Sequence, residues 1–415
     1  MAKRRLRVGF TLQNQRMQLA GNHSAALQLR HILQGLTSAG HRPTLLALRD
    51  NRRVLCTSDP VVVRYGQLGF SDTPGFKLVE SSIRRGQREL RVPYMGFFDS
   101  YRFYEACAKN LSGCQLLHER NSLFSIGTAL ASRRLGLPYV LSLDADELFE
   151  LDHVGKPLRG FQRRVAQWAS RLTYRVADAL TCVSPAAKRH FVSQWSIPEH
   201  KITVLPNGVD VHFFLRQESD DPVRSSLGLK NRPIVMFVGG FFRWHGLELL
   251  IDSFQLVSQE APTAHLVLVG DGDTRAAIQL RVGTLGLNRS VTFTGPVEHE
   301  DVPAYLSAAD VCVAPYPRFS TEFWGSPMKL YEYMAAGKAI VASNAGIIGE
   351  VIQNRVTGLL TDPGDKFGLA NAIVSVLDDP ELRFRLGQNA RQRVVEMHSW
   401  DNYVRQLEKI YARVL

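Results

Sequence analysis

The sequence predicts an α/β protein of two Rossmann-like domains facing each other across a cleft. Three observations carry that prediction. At 415 residues the chain exceeds what one ordinary core organises, so two domains are the natural division. Strand-length apolar runs alternate with helical patterns from end to end, as in parallel sheets covered on both faces. A turn at Pro206-Asn207-Gly208, followed by the polar, strand-poor segment 217–233, marks a single seam.

In chain order the first half offers strands at about 6–12, 43–48, 115–118, 139–143, 179–183 and 202–205, with a helix over 24–39. The second half offers strands at 234–238, 265–269, 291–294, 311–314 and 339–342, with helices at 246–258, 274–285 and 302–308 between them. Residues 1–205 form the first domain and residues 206–397 the second. The last helix, about 398–415, is amphipathic through Trp400, Tyr403, Leu407, Ile410 and Tyr411, and is expected to pack back on the first domain.

Composition narrows the class. Hydrophobic residues at 45% and charged residues at 21% are those of a soluble globular chain. Apolar runs such as 234–238 are strand-length, far below a membrane span. The basic start leads into only a short apolar run, so no signal peptide is expected. Five cysteines (Cys56, Cys107, Cys114, Cys182 and Cys312) are odd in number and lack metal-ligand or disulfide spacing, which points to reduced thiols and the cytoplasm. The net charge of +11 is unevenly shared: residues 1–205 hold 30 Lys and Arg against 15 Asp and Glu, a net of +15, leaving 20 against 24, or −4, for the rest. Such a basic half suits nucleic acid, an anionic membrane surface or an anionic substrate, or serves solubility alone.

The stretch 320–341 says most about chemistry. A turn of small residues, Gly325-Ser326-Pro327, runs into Met328-Lys329-Leu330-Tyr331-Glu332, which has helix composition. Gly337 stops that helix and the apolar strand Ala339-Ile340-Val341 follows. A loop-to-helix unit of this kind aims free N–H groups and a positive helix end at a phosphate. Lys329 and Glu332, three residues apart, share one helical face. One meets an anion while the other accepts hydrogen bonds from hydroxyls, as a nucleotide bearing a sugar requires.

With these residues in place the chain resembles a retaining glycosyltransferase of the GT-B fold, in the large family numbered four (glycosyl transferases group 1). The resemblance covers nearly the whole chain through Leu205-Pro206-Asn207-Gly208-Val209-Asp210, Val238-Gly239-Gly240-Phe241, Trp244-His245-Gly246, Val269-Gly270-Asp271-Gly272-Asp273, Phe293-Thr294-Gly295, Ala309-Asp310-Val311 and the segment 326–335. Each motif is weak alone; their order and spacing are specific. The resemblance implies a nucleotide-sugar donor on the second domain and a hydroxyl acceptor on the first, with retention of anomeric configuration. No cofactor and no metal are expected. Asp144-Ala145-Asp146 has Asp-x-Asp spacing, but it follows a first-domain strand, away from the phosphate loop.

Residue by residue, the resemblance implies that Glu332 clasps the ribose diol, as an acceptor-only carboxylate can. Lys329, with the N–H groups of Ser326, Met328 and Lys329, holds the diphosphate, where charge builds as the leaving group departs. Pro327 has no N–H to give, and Leu330, Asp271 and Thr294 complete the donor motifs. The first Glu of the family's pair belongs eight residues before Glu332. Trp324 stands there, and Glu322, two positions earlier, is the substitute candidate. After the first strand of the second domain, Gly240 and His245 occupy the family's usual Arg and Lys places, with Arg243 close by. Arg243 and His245 are expected to supply positive charge or hydrogen bonds, a protonated His weakening donor binding above neutral pH; otherwise His245 caps the helix from Gly246. In the first domain Gly21 and Asn22 match the small-residue phosphate-side loop. Arg120 stands where many relatives carry a sugar-contacting His and could stabilise the leaving phosphate. His118 lines the acceptor side or is structural, and Asp144 faces the same cleft.

Arg159, Arg163, Arg164, Arg171 and Arg175 interleave with Leu158, Phe161, Val165, Trp168, Leu172 and Val176, whose apolar set spans about 80° of a helix. With Arg84, Arg85, Arg88 and Arg91, this basic amphipathic helix either covers a sheet with its arginines in water or meets an anionic membrane. Two other functions fit parts of the pattern: an epimerase acting on the nucleotide sugar itself, which the flanks of Lys329–Glu332 disfavour, and nucleic-acid binding, for which no motif is present.

Overall fold

The computed structural model describes residues 5–13, 24–49, 53–58, 64–90, 92, 95–153, 155–214, 221–320 and 322–415. The chain divides into two units: Met1–Leu205 with Val404–Leu415, and Pro206–Tyr403. Leu205 to Pro206 is therefore the crossing point, and the last helix, Trp400–Val414, gives its first turn to the second unit and the rest to the first.

The first unit is a seven-stranded sheet of β1 (Arg7–Leu12), β2 (Arg42–Leu48), β3 (Val54–Thr57), β4 (Leu116–Arg120), β5 (Tyr139–Leu143), β6 (Ala179–Cys182) and β7 (Ile202–Val204), in the order β3-β2-β1-β4-β5-β6-β7. All neighbours are parallel except β3, which runs antiparallel to β2. The all-parallel expectation fails there because the β2–β3 connection is too short for a crossover helix, and an antiparallel return is all it allows. The second unit holds six parallel strands: β8 (Ile234–Val238), β9 (His265–Val269), β10 (Val291–Gly295), β11 (Val311–Ala314), β12 (Ala339–Ser343) and β13 (Leu359–Thr361), ordered β10-β9-β8-β11-β12-β13.

Runs of Val, Ile and Leu make these central strands, and both their faces are covered. Along β8 the side chains alternate: Met236 and Val238 join a core with Leu330, Tyr331 and Tyr333, while Val235 and Phe237 join another with Phe241 and Leu250. Strand order reverses at β1/β4 in one sheet and at β8/β11 in the other, the kind of switch point at which open α/β sheets generally bind ligands.

The C-terminal helix closes the first unit through specific contacts. The Tyr411 hydroxyl meets His118, Glu408 meets His41 Nε2 at 2.9 Å, and Val404 lies where a side chain on Gly35 would stand. No helix among the described residues is long and apolar enough to cross a membrane.

Candidate functional site

In the second unit, the carboxyl ends of β8 and β11 carry the two loops picked out by sequence. Behind β8, Gly239 has φ +141 and Gly240 follows; the 3₁₀ turn Arg243–His245 then leads to Gly246, at φ +65, and the helix Leu247–Glu260. A side chain at Gly246 would stand 1.7 Å from the Pro315 carbonyl, so only glycine lets the β11 loop close on this turn. The β11 loop passes through Tyr316, Phe319 and Phe323, the last two stacked at 5.0 Å, and ends in the helix Met328–Ala335 with Pro327 as its cap. The Leu330 N–H closes on the Pro327 carbonyl at 3.1 Å, while those of Met328 and Lys329 precede the first intrahelical acceptor.

Lys329 dominates this corner. The residue is 92% buried, yet among the described residues its Nζ has no hydrogen-bond partner. The ammonium lies 4.1 Å from the centre of the Phe237 ring, and a Cβ on Gly239 would sit 3.0 Å from it. Glycine at 239 thus leaves open the approach to the cation. Burial lowers the Lys329 pKa to about 7, against a smaller opposing pull from Glu332. A buried cation resting only on an aromatic face is costly in a ligand-free protein, and an anion would relieve it.

Glu332, one turn on, is partly buried, with Oε1 3.4 Å from Nε2 of His299. His299 in turn stacks on Phe213 at 5.2 Å. Neither His299 nor this aromatic shelf was singled out by sequence, because nothing in Glu298-His299-Glu300 marks it. Ser326 is pinned from behind: Asn207 donates its side-chain amide to the Ser326 carbonyl at 2.8 Å, and the Ser326 and Tyr331 hydroxyls lie 2.9 Å apart. Asn207 therefore has a positioning role that its place in a seam turn did not suggest.

His245 requires correction. Burial, then the neighbouring Lys329 charge, lower its pKa to about 3, so the ring is neutral and offers no positive charge. Nδ1 carries the proton and donates to the Gly240 carbonyl at 2.5 Å. It does not cap the next helix, whose N-cap is Gly246. Arg243 is exposed, beside the stacked rings of Phe242 and Trp244. Asp271 is half-turned away: it accepts from the Gly272 N–H at 2.8 Å and from Arg275 at 3.0 Å, while its carbonyl receives the Phe241 N–H. Thr294 donates to the Gly295 carbonyl at 2.9 Å. Glu322 is exposed and Trp324 is half-buried on the segment ahead of Met328.

In the first unit, Arg120 and Asp144, at the carboxyl ends of adjacent strands β4 and β5, form an ion pair through Nε and Oδ2. Asp146 turns elsewhere, to His190 Nε2 at 2.9 Å and Trp195 Nε1 at 2.7 Å. The Asp-x-Asp carboxylates thus diverge. Of the two readings of His118, acceptor side or structural, its surroundings favour the structural one. It is wholly buried, with Nδ1 2.7 Å from the Tyr411 hydroxyl and Nε2 2.8 Å from Ser142 Oγ, and desolvation lowers its pKa to about 3. Its strand neighbour Glu119 is equally buried; it accepts from Tyr139 and from Ser125, and burial raises its pKa to about 7. Gly21 and Asn22 lie outside the described residues.

The helix Gly160–Val176 also departs from expectation. It packs through Ala166, Ala169, Ser170, Thr173 and Tyr174, while Phe161 and Trp168 face outward. Small residues allow closer approach to the sheet than the aromatic stripe does. Arg163 pairs with Asp152, and Arg171 and Arg175 line a 510 Å³ groove with Trp195 and Lys201. Arg84, counted among the surface basic residues, is instead held by Glu80 and Asp99.

Comparison with known proteins bears on the family and the fold. A model described as "Glycosyl transferases group 1" matches residues 219–393, and one described as "Glycosyltransferase Family 4" matches residues 25–213. The alpha-D-kanosaminyltransferase of Streptomyces kanamyceticus is 27% identical over 293 residues, covering 69% of this chain and 73% of that protein. Among solved structures, sucrose-phosphate synthase from Thermosynechococcus elongatus superposes with a TM-score of 0.70 at 22% identity, covering 99% of both chains. Anabaena HepE, in complex with UDP-glucose, superposes with a TM-score of 0.69 at 20% identity, covering 98% of this chain and 100% of that one.

Proposed function

Because the chain belongs to the group 1 glycosyltransferases, family 4, of the GT-B fold, we propose that it moves a sugar from a nucleotide-sugar donor to an acceptor hydroxyl with retention. The observation that carries the donor assignment is the buried Lys329 ammonium, without a hydrogen-bond partner among the described residues, beside Gly239 and on the first turn of Met328–Ala335. The diphosphate takes its charge from Lys329 and from the N–H groups of Met328 and Lys329. Glu332 receives the ribose hydroxyls, and Arg243 lies exposed on the neighbouring loop. A donor of this kind is what HepE binds in its complex with UDP-glucose.

In the proposed reaction the bond from the anomeric carbon to the phosphate oxygen breaks, and a bond to the acceptor oxygen forms on the same face. The acceptor proton passes to the leaving phosphate, so no protein nucleophile is required. Lys329 and the helix N–H groups act where charge accumulates on the departing oxygens, which places their effect in the transition state. The first unit takes the acceptor, with Arg120 and Asp144 at its strand ends. No metal is needed in this scheme: Asp144 and Asp146 hold Arg120 and His190. Free thiols at all five cysteines fit a cytoplasmic site of action.

A thermal-shift panel of UDP-, GDP-, ADP- and dTDP-sugars tests the reading and selects the base. A true donor at a hundred times its Kd stabilises by about 2.7 kcal/mol. If no nucleotide sugar shifts the melting temperature, or if Glu332→Ala leaves donor binding and turnover intact, the site assignment is wrong.

A further inference from the structure

The 510 Å³ groove lined by Arg171 and Arg175 belongs to the first unit alone. It lies between the last turns of the helices Gly160–Val176 and Pro185–Trp195, which lead into the amino ends of β6 and β7. A smaller hollow of 140 Å³ shares Arg171, Gln194 and Trp195 with it and reaches Asp146, next but one to Asp144 at the end of β5. Together they form a trough that starts beside that strand end and runs between the helices to Lys201.

The positive charge of the trough is uncommitted. Its bordering acids are already held, Asp146 by His190 and Trp195, and Asp152 by Arg163. Lys201 donates to the carbonyls of Ala177 at 2.9 Å and Arg175 at 3.5 Å, which offsets the negative end of the helix Gly160–Val176. Arg171 and Arg175 are exposed and one turn apart, and among the described residues neither guanidinium has a partner. The other lining groups suit a sugar chain. Trp195 is half-buried, its ring edge-on to Tyr174 at 5.2 Å, and Gln194 beside it is exposed. Ser196 ends its helix at φ +53, where glycine would sit without strain; the serine keeps a hydroxyl on the trough instead.

We propose that this trough holds the anionic stretch of an oligosaccharide acceptor. Sugar rings lie against Trp195, hydroxyls meet Gln194 and Ser196, and acidic groups enter the forks of Arg171 and Arg175. The proposal rests on the glycosyl-transfer reading and deepens it by assigning charge to the acceptor. A guanidinium fork matches carboxylate and phosphate alike, so the shared chemistry is an anion carried on a glycan. The C–H face of a sugar ring is apolar and packs on an indole, while its hydroxyls need amide and hydroxyl partners. A volume of 510 Å³ is that of a small-molecule site, far more than a single ion needs. The net +15 of residues 1–205 draws such a chain toward the first unit.

Calorimetry on the full chain without nucleotide tests this with maltohexaose, phosphorylated maltohexaose, hexagalacturonate and inorganic pyrophosphate. At least one charged oligosaccharide should bind, and which one names the anion as phosphate or carboxylate. Maltohexaose and pyrophosphate, each lacking half of the recognition, should bind at least about tenfold more weakly. The double variant Arg171→Gln/Arg175→Gln should weaken the charged oligosaccharide by about tenfold or more. Its melting curve should not change, since both side chains are exposed and unpaired among the described residues. If neither charged oligosaccharide binds, if maltohexaose or pyrophosphate binds as tightly, or if the double variant keeps full affinity, the proposal falls. Tighter binding of a single-stranded RNA oligonucleotide, lost in the same variant, would give the trough to nucleic acid and overturn it too. These titrations contain no donor, so their failure leaves the glycosyl-transfer reading standing; a failed nucleotide-sugar panel would instead strike that reading and leave the measured glycan affinity in place.

Discussion

The two units share a parallel-sheet frame but treat the cations at their strand ends in opposite ways. In the first unit Arg120 meets Asp144 across neighbouring strands. In the second, Lys329 is buried against Phe237 with no counter-ion in hydrogen-bond reach among the described residues, and its pKa is lowered to about 7. A paired cation is stable as it stands; a desolvated lone one destabilises the empty protein and binds an anion more strongly for it. The difference separates a cation neutralised in place from one left desolvated among the described residues.

The sharpest way to break this comparison is Lys329→Met. Transfer efficiency, kcat/KM, should fall by about 10²- to 10³-fold, the usual loss for a group facing transition-state charge. The melting temperature should hold or rise, because a buried charge has been removed. Turnover within threefold of the parent would end the phosphate role of Lys329.

Arg120→Gln should behave in the opposite sense. Removing the partner of Asp144 should cost about 1–2 kcal/mol in a urea titration, where Lys329→Met costs none. If Arg120→Gln leaves the midpoint unmoved, the ion pair is not what holds that strand end.

The lowered Lys329 pKa makes donor affinity depend on pH. Diphosphate binding favours the ammonium, whose population in the free protein falls above about pH 7. Calorimetry should show affinity for the nucleoside diphosphate weakening by up to tenfold per pH unit above that point, with proton uptake on binding. Lys329→Met should be flat. The stability sign is the reverse: between about pH 7 and 10.5 the unfolded chain holds more protons at this lysine, so this group's contribution to folding stability rises with pH.

The smallest effect on turnover is expected at His118. Its ring nitrogens face Tyr411 and Ser142, both inside the first unit. His118→Gln should lower the melting temperature while kcat stays within about threefold. A pH profile of kcat that changed shape in this variant would restore His118 to the chemistry.

Much of this was legible in the chain. Strand alternation, the Pro206-Asn207-Gly208 turn and the Ser326–Glu332 motif depend on local periodicity and on backbone geometry that short segments carry with them. The antiparallel β3 was not visible, because four residues of strand do not declare their direction. The charge state of His245 and the pairing of Arg120 were invisible for a different reason. Desolvation and counter-ions are supplied by residues far away in sequence, such as the Lys329 that flanks His245.

The basic helices teach the same lesson most plainly. A helical pattern separates an apolar from a polar face but does not say which face turns inward. In Gly160–Val176 the small residues do, and in Pro74–Glu89 a glutamate does. Sequence alone determined the family, the two-sheet α/β plan and the helix that presents Lys329 and Glu332, because each is encoded within a few consecutive residues. Only the tertiary structure decided which cations are paired, which histidines are neutral and which apolar faces stay in water. Those depend on the solvent and the partners that distant segments exclude or provide.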